Sequence, residues 1–278
     1  MNKAGFILRV SNILILLLFI VIIISCATVE KFKRHPDIEQ TPIIHTIKTN
    51  SLQFVIRGHY IPEYAKKKIV SIANSIVKDI TRRFKLKSRN QKIIDLYLSK
   101  NSKEYVNILK KTGLGSYQDT MGMYIPKMQL VLADIGISIG NLMHELVHPL
   151  LTNDFPEIPL WMNEGIATLY GKAIIKKKRV YYLSNFRIYH VRKAINQNSL
   201  PTLKQLAYCK PFIISIKNPE IYYSLSRCLM LYLDRINKLS KFYIDMRKAG
   251  FDKLKYEHVL KKHINYSDFK KWIFSNKH

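Results

Sequence analysis

The sequence is short of acidic residues. Its 278 residues include 19 Asp and Glu against 46 Lys and Arg, which gives a formal net charge of +27. A surface of this sign favours anionic partners such as lipid headgroups, nucleic acid or acidic polymers. The lysines are scattered, however, and no nucleic-acid-binding motif accompanies them. We therefore interpret the charge mainly as a bias of composition and expect no nucleic-acid partner.

Cysteine is also scarce, and several catalytic signatures are missing. The three cysteines, Cys26, Cys209 and Cys228, include no Cys-x-x-Cys pair, so nothing indicates thiol catalysis. The last two leave one disulfide open in an oxidising compartment, because spacing alone does not decide the pairing. Gly-rich phosphate loops, nucleophile elbows around serine and internal repeats are absent as well.

The only long hydrophobic run lies at the N-terminus. Twelve apolar residues, numbers 13–24, follow a basic start and precede Ser25 and Cys26. This length suits the core of a signal peptide better than a membrane span. The Ile-Ile-Ser-Cys ending is similar to a bacterial lipobox, which predicts a signal peptide over 1–25 and a lipidated Cys26. The alternative is an uncleaved anchor. Either way we expect an extracytoplasmic protein, anchored to the cell membrane or the outer membrane.

The remaining pattern predicts a polar tether over residues 26–48 and one α+β domain over 49–278. Strands are predicted at Leu52–Arg57, at 93–98 and, singly or as a pair, within 123–132. Apolar spacing predicts helices at 62–85 and Ser102–Lys111, a mainly helical C-terminal half after 187, and a basic hairpin near 176–182. This alternation of strands and helices indicates a small mixed sheet.

The strongest motif is His144-Glu145-Leu146-Val147-His148. Positions four apart share a face of a helix, so two imidazoles can point at one Zn²⁺ with a glutamate beside them. Apolar neighbours indicate a buried helix, in which polar groups need partners. Pro149 predicts a kink or helix end soon after His148.

Catalytic zinc usually has a third protein ligand, and two carboxylates follow the motif. Asp154 lies six residues after His148, and Glu164 lies sixteen after it. We favour Glu164, because a helix that begins near residue 159 presents it early and Gly165 permits close approach of that helix. Asp154 would suit the metzincin pattern, which requires glycine where this chain has Leu151.

His-Glu-Leu-Val-His followed by Trp161-x-Asn163-Glu164-Gly165-x-Ala167 resembles the gluzincin zinc peptidases, in particular the peptidase MA-like families of bacteria. The resemblance implies His144, His148 and Glu164 as Zn²⁺ ligands and Glu145 as the general base. It also implies a peptide or protein substrate, whose extended backbone pairs with an edge strand within 123–132.

Three points stay open in the sequence. Asn163 and Asp134 are both candidates to orient the imidazoles. Tyr222, Tyr223 and His190 are candidates to stabilise an oxyanion, although the sequence favours a core or surface position for all three. The alternatives to a peptidase are an inactive or structural-zinc lipoprotein that acts as a binding or assembly factor, and a hydrolase of non-peptide amides in the cell wall. The sequence does not indicate the oligomeric state.

Overall fold

The computed structural model describes residues 36–59, 61–87, 91–209, 219–250 and 252–276. It contains one mixed sheet and is otherwise mostly helical, so the predicted α+β class is confirmed. The strands are β1 (Ile43–Lys48), β2 (Leu52–Arg57), β3 (Lys92–Ser99), β4 (Gly122–Ile125), β5 (Leu130–Asp134), β6 (Ala173–Lys176) and β7 (Arg179–Tyr182). The helices before the hairpin are α1 (Pro36–Glu39), α2 (Glu63–Phe84), α3 (Ser102–Lys111), α4 (Ile139–Glu145), α5 (Val147–Asp154) and α6 (Leu160–Tyr170). Those after it are α7 (Arg187–Asn196), α8 (Leu203–Ala207), α9 (Pro219–Arg235), α10 (Leu239–Ala249), α11 (Lys253–His263) and α12 (Tyr266–Ser275).

The main sheet has the strand order β1-β2-β3-β5-β4. Its three inner strands are parallel, with Phe54 opposite Ile94 and Leu96 opposite Val131. The outer strands β1 and β4 run antiparallel to their neighbours. β4 therefore forms one edge of the sheet, beside the helices that follow β5.

Both faces of the sheet are buried. Successive side chains of a strand point to opposite faces, and β5 shows this directly. Val131 and Ala133 join the main core, while Leu130 and Leu132 join a second cluster under α3. The main core also contains one face of α2, whose buried residues recur at helical spacing. This apolar stripe runs through Ile69, Ala73, Ile76, Val77 and Ile80.

One predicted boundary needs correction, and one open alternative is decided. Residues 43–48 form β1, so the predicted tether over 26–48 is wrong over its last part. β1 alternates exposed and half-buried side chains on the sheet edge, a pattern that resembles a polar linker in sequence. Within 123–132 the structure has the pair of strands that was one of the two predicted alternatives, β4 and β5, with Pro126–Met128 as a 3-10 turn and Gln129 at a positive φ of 50° between them. The signal peptide over 1–25 and Cys26 lie outside the described residues.

Other expectations agree with the structure. The helix predicted at 62–85 spans Glu63–Phe84, and the basic hairpin is formed by β6 and β7. Cys209 and Cys228 are not bonded to each other, so the disulfide left open by the sequence is not formed. None of the helices in the described ranges is long and apolar enough to cross a membrane.

The helices α6 and α9 pack closely against each other in the core, and Gly165 permits this approach. A Cβ atom at this position would lie 2.9 Å from the backbone oxygen of Ser226 and 3.0 Å from Cγ of Met230. The predicted close approach at Gly165 is therefore confirmed, with α9 as the partner helix. The rigid obstacle is the backbone of α9, which cannot move aside as a flexible side chain can.

We expect Gly165→Ala to lower the free energy of unfolding by about 1–3 kcal/mol, because overpacking forces the two helices apart. Urea denaturation followed by circular dichroism measures this. Gly115→Ala is the control: its Cβ would lie 3.2 Å from Cγ of the flexible Lys110 side chain and 3.7 Å from the Cα of Lys110, which is ordinary contact, and a change within about 0.5 kcal/mol is expected. Equal stability of the two variants would contradict the packing argument.

Candidate metal centre and cleft

The His-Glu-x-x-His motif lies on two short helices separated by one irregular residue. α4 ends at Glu145 and α5 begins at Val147, which leaves Leu146 between them. Pro149 accounts for the break, because it cannot donate a hydrogen bond to the carbonyl of Glu145, four residues earlier. The prediction of a kink after His148 is therefore wrong in position. The irregularity lies one turn before the proline, and α5 continues beyond it.

The two imidazoles nevertheless meet, and α6 brings a carboxylate to them. The ring centroids of His144 and His148 are 4.9 Å apart. Oε2 of Glu164 lies 3.4 Å from Nε2 of His144, and its Oε1 lies 3.8 Å from Nε2 of His148. Oε2 of Glu145 lies 3.8 Å from Nε2 of His148. The structure thus brings all four predicted site residues together.

Asn163 orients one of the imidazoles. Its Oδ1 lies 3.1 Å from Nδ1 of His148. Since an amide oxygen only accepts, Nδ1 is the donor in this contact, and Nε2 is the ring nitrogen that faces Glu164. Asp134, the other candidate, is engaged elsewhere: its carboxylate accepts from Ser102 Oγ and from the backbone N–H of Gly136.

Glu145 lies against the edge strand β4. A Cβ atom at Gly122 would lie 2.7 Å from Cγ of Glu145 and 3.0 Å from its Oε1, so only glycine leaves room for this carboxylate. The backbone N–H of Tyr124, two residues along β4, donates to the same carboxylate. The strand therefore fixes the position of Glu145 through its backbone.

The pKa values of the two buried carboxylates, Glu145 and Glu164, shift in opposite directions. Burial raises the pKa of Glu145 above its usual value, and the attraction of His144 and His148 only partly offsets this. Burial acts in the same direction on Glu164, but the same two imidazoles outweigh it and lower the pKa of Glu164. Glu164 is thus held as an anion, while Glu145 is nearer to exchanging a proton. Paired acidic groups with separated pKa values are typical of acid–base sites.

A cavity of about 470 Å³ opens onto this cluster. Its lining includes Gly122 of β4, Arg187 at the start of α7 and Tyr223 of α9. His144, Glu145, Glu164 and these flanking residues share one space, so a molecule in the cavity contacts the polar cluster and the residues around it. The turn of the β6–β7 hairpin is not among the lining residues, although Gly171 and Lys172 at its base are.

The three candidates for oxyanion stabilisation separate clearly. Tyr223 is buried and lines the cavity, whereas Tyr222 does not line it. His190 points elsewhere, with its Nδ1 at 3.3 Å from Oε1 of Glu220 and its ring edge-to-face with Tyr189. Tyr223 is the only one of the three positioned beside the cluster.

Sequence reasoning missed two residues of the cleft, Gly122 and Arg187. Gly122 reads as the end of a loop, and its contact with Glu145 depends on how β4 meets α4. Arg187 is one of 46 basic residues and carries no motif of its own. Neither residue has a sequence signal, because both acquire their role from tertiary packing alone.

Asp154, the carboxylate that we did not favour as a ligand, lies in a different network. Its Oδ1 accepts from the backbone N–H of Lys87 at 2.7 Å, and its Oδ2 accepts from Tyr243 Oη at 2.8 Å. The guanidinium of Arg247 also pairs with Oδ2. Asp154, on α5, therefore links the segment after α2 to α10, and its role is structural.

We expect Asp154→Ala to lower the free energy of unfolding by about 3–5 kcal/mol, because it leaves Arg247 as a half-buried charge without its partner. Chemical denaturation measures the loss. Glu63→Ala is the matched control, since it removes a mostly exposed carboxylate whose contact with Lys66 at 3.4 Å contributes less than about 1 kcal/mol. A loss for Asp154→Ala as small as that of the control would refute the structural role.

Comparison with known proteins adds no further constraint on the site. Neither a scan against models of protein families nor a search of curated proteins finds a match for this chain.

Proposed function

We propose that this protein is a membrane-tethered, extracytoplasmic zinc metallopeptidase. One observation carries the proposal: the Nε2 atoms of His144 and His148 converge on the buried carboxylate of Glu164, and a second carboxylate, that of Glu145, lies beside them. This arrangement unites two imidazoles, an anionic ligand and a candidate base at the floor of an open cavity.

The donor set suits zinc. Two imidazole nitrogens and one carboxylate are the ligands of a known class of catalytic zinc site that leaves one position open. Oε2 of Glu164 is buried, and its 3.4 Å contact with His144 falls short of a hydrogen bond, so this oxygen lacks a protein donor. His144, His148 and Glu164 would hold the ion, with Asn163 orienting His148. Bound Zn²⁺ would supply Lewis acidity, which lowers the pKa of water toward about 7 and polarises the scissile carbonyl.

Glu145 is the group that moves the proton. Its carboxylate accepts a proton from the attacking water and then delivers it to the amine nitrogen as the C–N bond breaks. The raised pKa of Glu145 supports the first half of this role, because a more basic carboxylate accepts a proton more readily. Contact with Gly122 and the N–H of Tyr124 keeps the carboxylate in place between the two transfers.

The edge strand β4 offers a docking surface for the substrate backbone. In the part of the chain that the structure describes, β4 pairs with β5 on one side and with no strand on the other. An extended peptide alongside β4 would add a strand to the sheet and lie across the cavity next to Glu145. This explains why peptide, with its regular backbone donors and acceptors, is our proposed substrate.

The proposed location follows from the N-terminal segment. Residues 1–25 would be removed as a signal peptide, and lipidated Cys26 would anchor the chain to the outer face of a membrane. The predicted tether would then follow Cys26 and link it to the described fold. A short tether of this kind keeps the cavity close to substrates at the cell envelope.

The function is tested by comparing His148→Ala with Glu145→Gln in the full-length protein purified in detergent. We expect His148→Ala to lose stoichiometric zinc, measured by elemental analysis, because it removes a ligand. Glu145→Gln should keep zinc but hydrolyse a pool of synthetic peptides about 10²–10⁴-fold more slowly.

His190→Ala is the control, because His190 pairs with Glu220 outside the cavity and its loss should leave zinc content and hydrolysis unchanged. Full zinc content with equal activity of wild type and Glu145→Gln would exclude the proposed mechanism. Zinc without peptide or amide hydrolysis in the wild type would favour a structural-zinc binding protein instead.

The role of Asn163 gives a separate test. We expect Asn163→Leu to weaken zinc affinity about 10–100-fold, because His148 loses the acceptor that fixes its tautomer and ring orientation. Asn163→Asp keeps an oxygen at the same place and should retain most of the affinity. Competition with a chromophoric chelator measures both constants. Equal affinities for the Leu and Asp variants would show that His148 needs no such acceptor.

A further inference from the structure

Arg187 is placed unusually for a cation. It is the first residue of α7, is partly buried, and lines the same cavity as His144 and Glu164. Within the described ranges, its guanidinium makes no hydrogen bond and no ion pair. Its Cζ instead lies 5.6 Å from the ring centroids of both Phe186 and Tyr223. Two aromatic rings thus limit where the guanidinium can go, while its donors remain available to the cavity.

The other well-buried arginines of the core are engaged. Arg227, only 1% exposed, donates to the backbone oxygens of Thr168 and Leu183. Arg83 pairs with Asp79 and Asp234, as Arg247 does with Asp154. The contrast is informative because a cation withdrawn from water is costly unless an anion or several acceptors compensate it. Arg187 lacks that compensation inside the protein.

The nearest acidic groups do not supply it. Arg187 experiences the charges of Glu164 and Glu220, but Glu164 faces the two imidazoles and Glu220 lies 3.3 Å from His190. Zinc on Glu164 would neutralise that charge further. A guanidinium stays protonated at any ordinary pH, and its planar fork of donors matches a carboxylate. An anionic group of a ligand is therefore the natural partner of Arg187.

We propose that Arg187 binds a carboxylate of the substrate next to the scissile bond, so that the protein selects peptides that are anionic at that point. This inference rests on the proposed peptidase function. It makes Arg187, which lines the same cavity as Gly122 of β4, the residue that determines specificity. The substrate backbone lies along β4, and one carboxylate reaches across to α7.

Two kinds of carboxylate fit this chemistry, and they predict different products. If Arg187 binds the C-terminal carboxylate of a peptide, cleavage falls at a fixed distance from the chain end and is lost when the end is amidated. If it binds an Asp or Glu side chain, cleavage occurs within the chain, with an acidic residue at one fixed position, and amidation has no effect.

The test compares full-length, zinc-loaded wild type with Arg187→Gln and Arg187→Lys on one pool of synthetic peptides, prepared with free and with amidated C-termini. Mass spectrometry of the products locates each cleavage. We expect Arg187→Gln to lower kcat/KM about 10–100-fold on anionic peptides, mainly through KM, and to leave neutral peptides unaffected. Arg187→Lys should recover part of the loss, since it restores the charge but not the fork.

Arg179→Gln is the matched control, because it removes the same charge from the exposed hairpin turn and should change nothing. A second measurement does not depend on catalysis: retention of the same peptides on immobilised Glu145→Gln protein, with and without Arg187→Gln. We expect anionic peptides to be enriched only when Arg187 is present.

The two proposals fail in distinguishable ways. Hydrolysis with the same preference in wild type and Arg187→Gln, or retention that is independent of Arg187, overturns the role of Arg187 and leaves the peptidase intact. Arg187-dependent retention of anionic peptides without any hydrolysis by the wild type overturns the peptidase and preserves the anion site.

Discussion

The site depends on one contact between helices, the approach of α6 to α9. Gly165 lets the backbones come so close that a methyl group would clash with the carbonyl of Ser226. That packing fixes the neighbouring Glu164 inside the core, 2% exposed, where it meets the imidazoles of His144 and His148. A carboxylate in this position is costly unless cationic or polar groups surround it. Helix packing thus creates the electrostatic problem that the imidazoles, and in our proposal a divalent ion, resolve.

The main sheet also contributes to the cavity wall, through backbone atoms of β4 and without side chains. Gly122 has no Cβ atom, and the N–H of Tyr124 belongs to the backbone, yet together they determine where the carboxylate of Glu145 lies. The same edge strand is our proposed docking surface for a peptide. One short element would therefore align the substrate and the proton-transferring group relative to each other. In this arrangement a shift of β4 would move the bound peptide and the carboxylate of Glu145 together.

Site residues that lie close together in the sequence can be predicted from it, whereas those brought to the site by tertiary packing cannot. His144, Glu145 and His148 follow from helical periodicity, and Glu164 follows from a second short motif nearby. Arg187 and Gly122 depend on the docking of α7 and β4, which no local pattern encodes. The sequence predicts the irregularity after His148, but the structure has it at Leu146. The reason is that a proline removes a hydrogen bond to the carbonyl four residues earlier and so disturbs the helical turn that precedes it. The lipidation of Cys26 and the binding of zinc remain predictions.

The distribution of the few acidic residues supports the proposed site independently of any motif. Seven carboxylates are buried among the described residues. Four of them, Asp79, Asp95, Asp154 and Asp245, pair with Arg or Lys and tie the architecture together. Asp134 accepts hydrogen bonds from Ser102 and Gly136. Within the described residues, Glu145 and Glu164 pair with no Arg or Lys and face the imidazoles of His144 and His148 instead, although the chain has cations in large excess. Two carboxylates and two imidazoles thus meet at the floor of an open cavity, which is the set of donor groups that a divalent cation would complete.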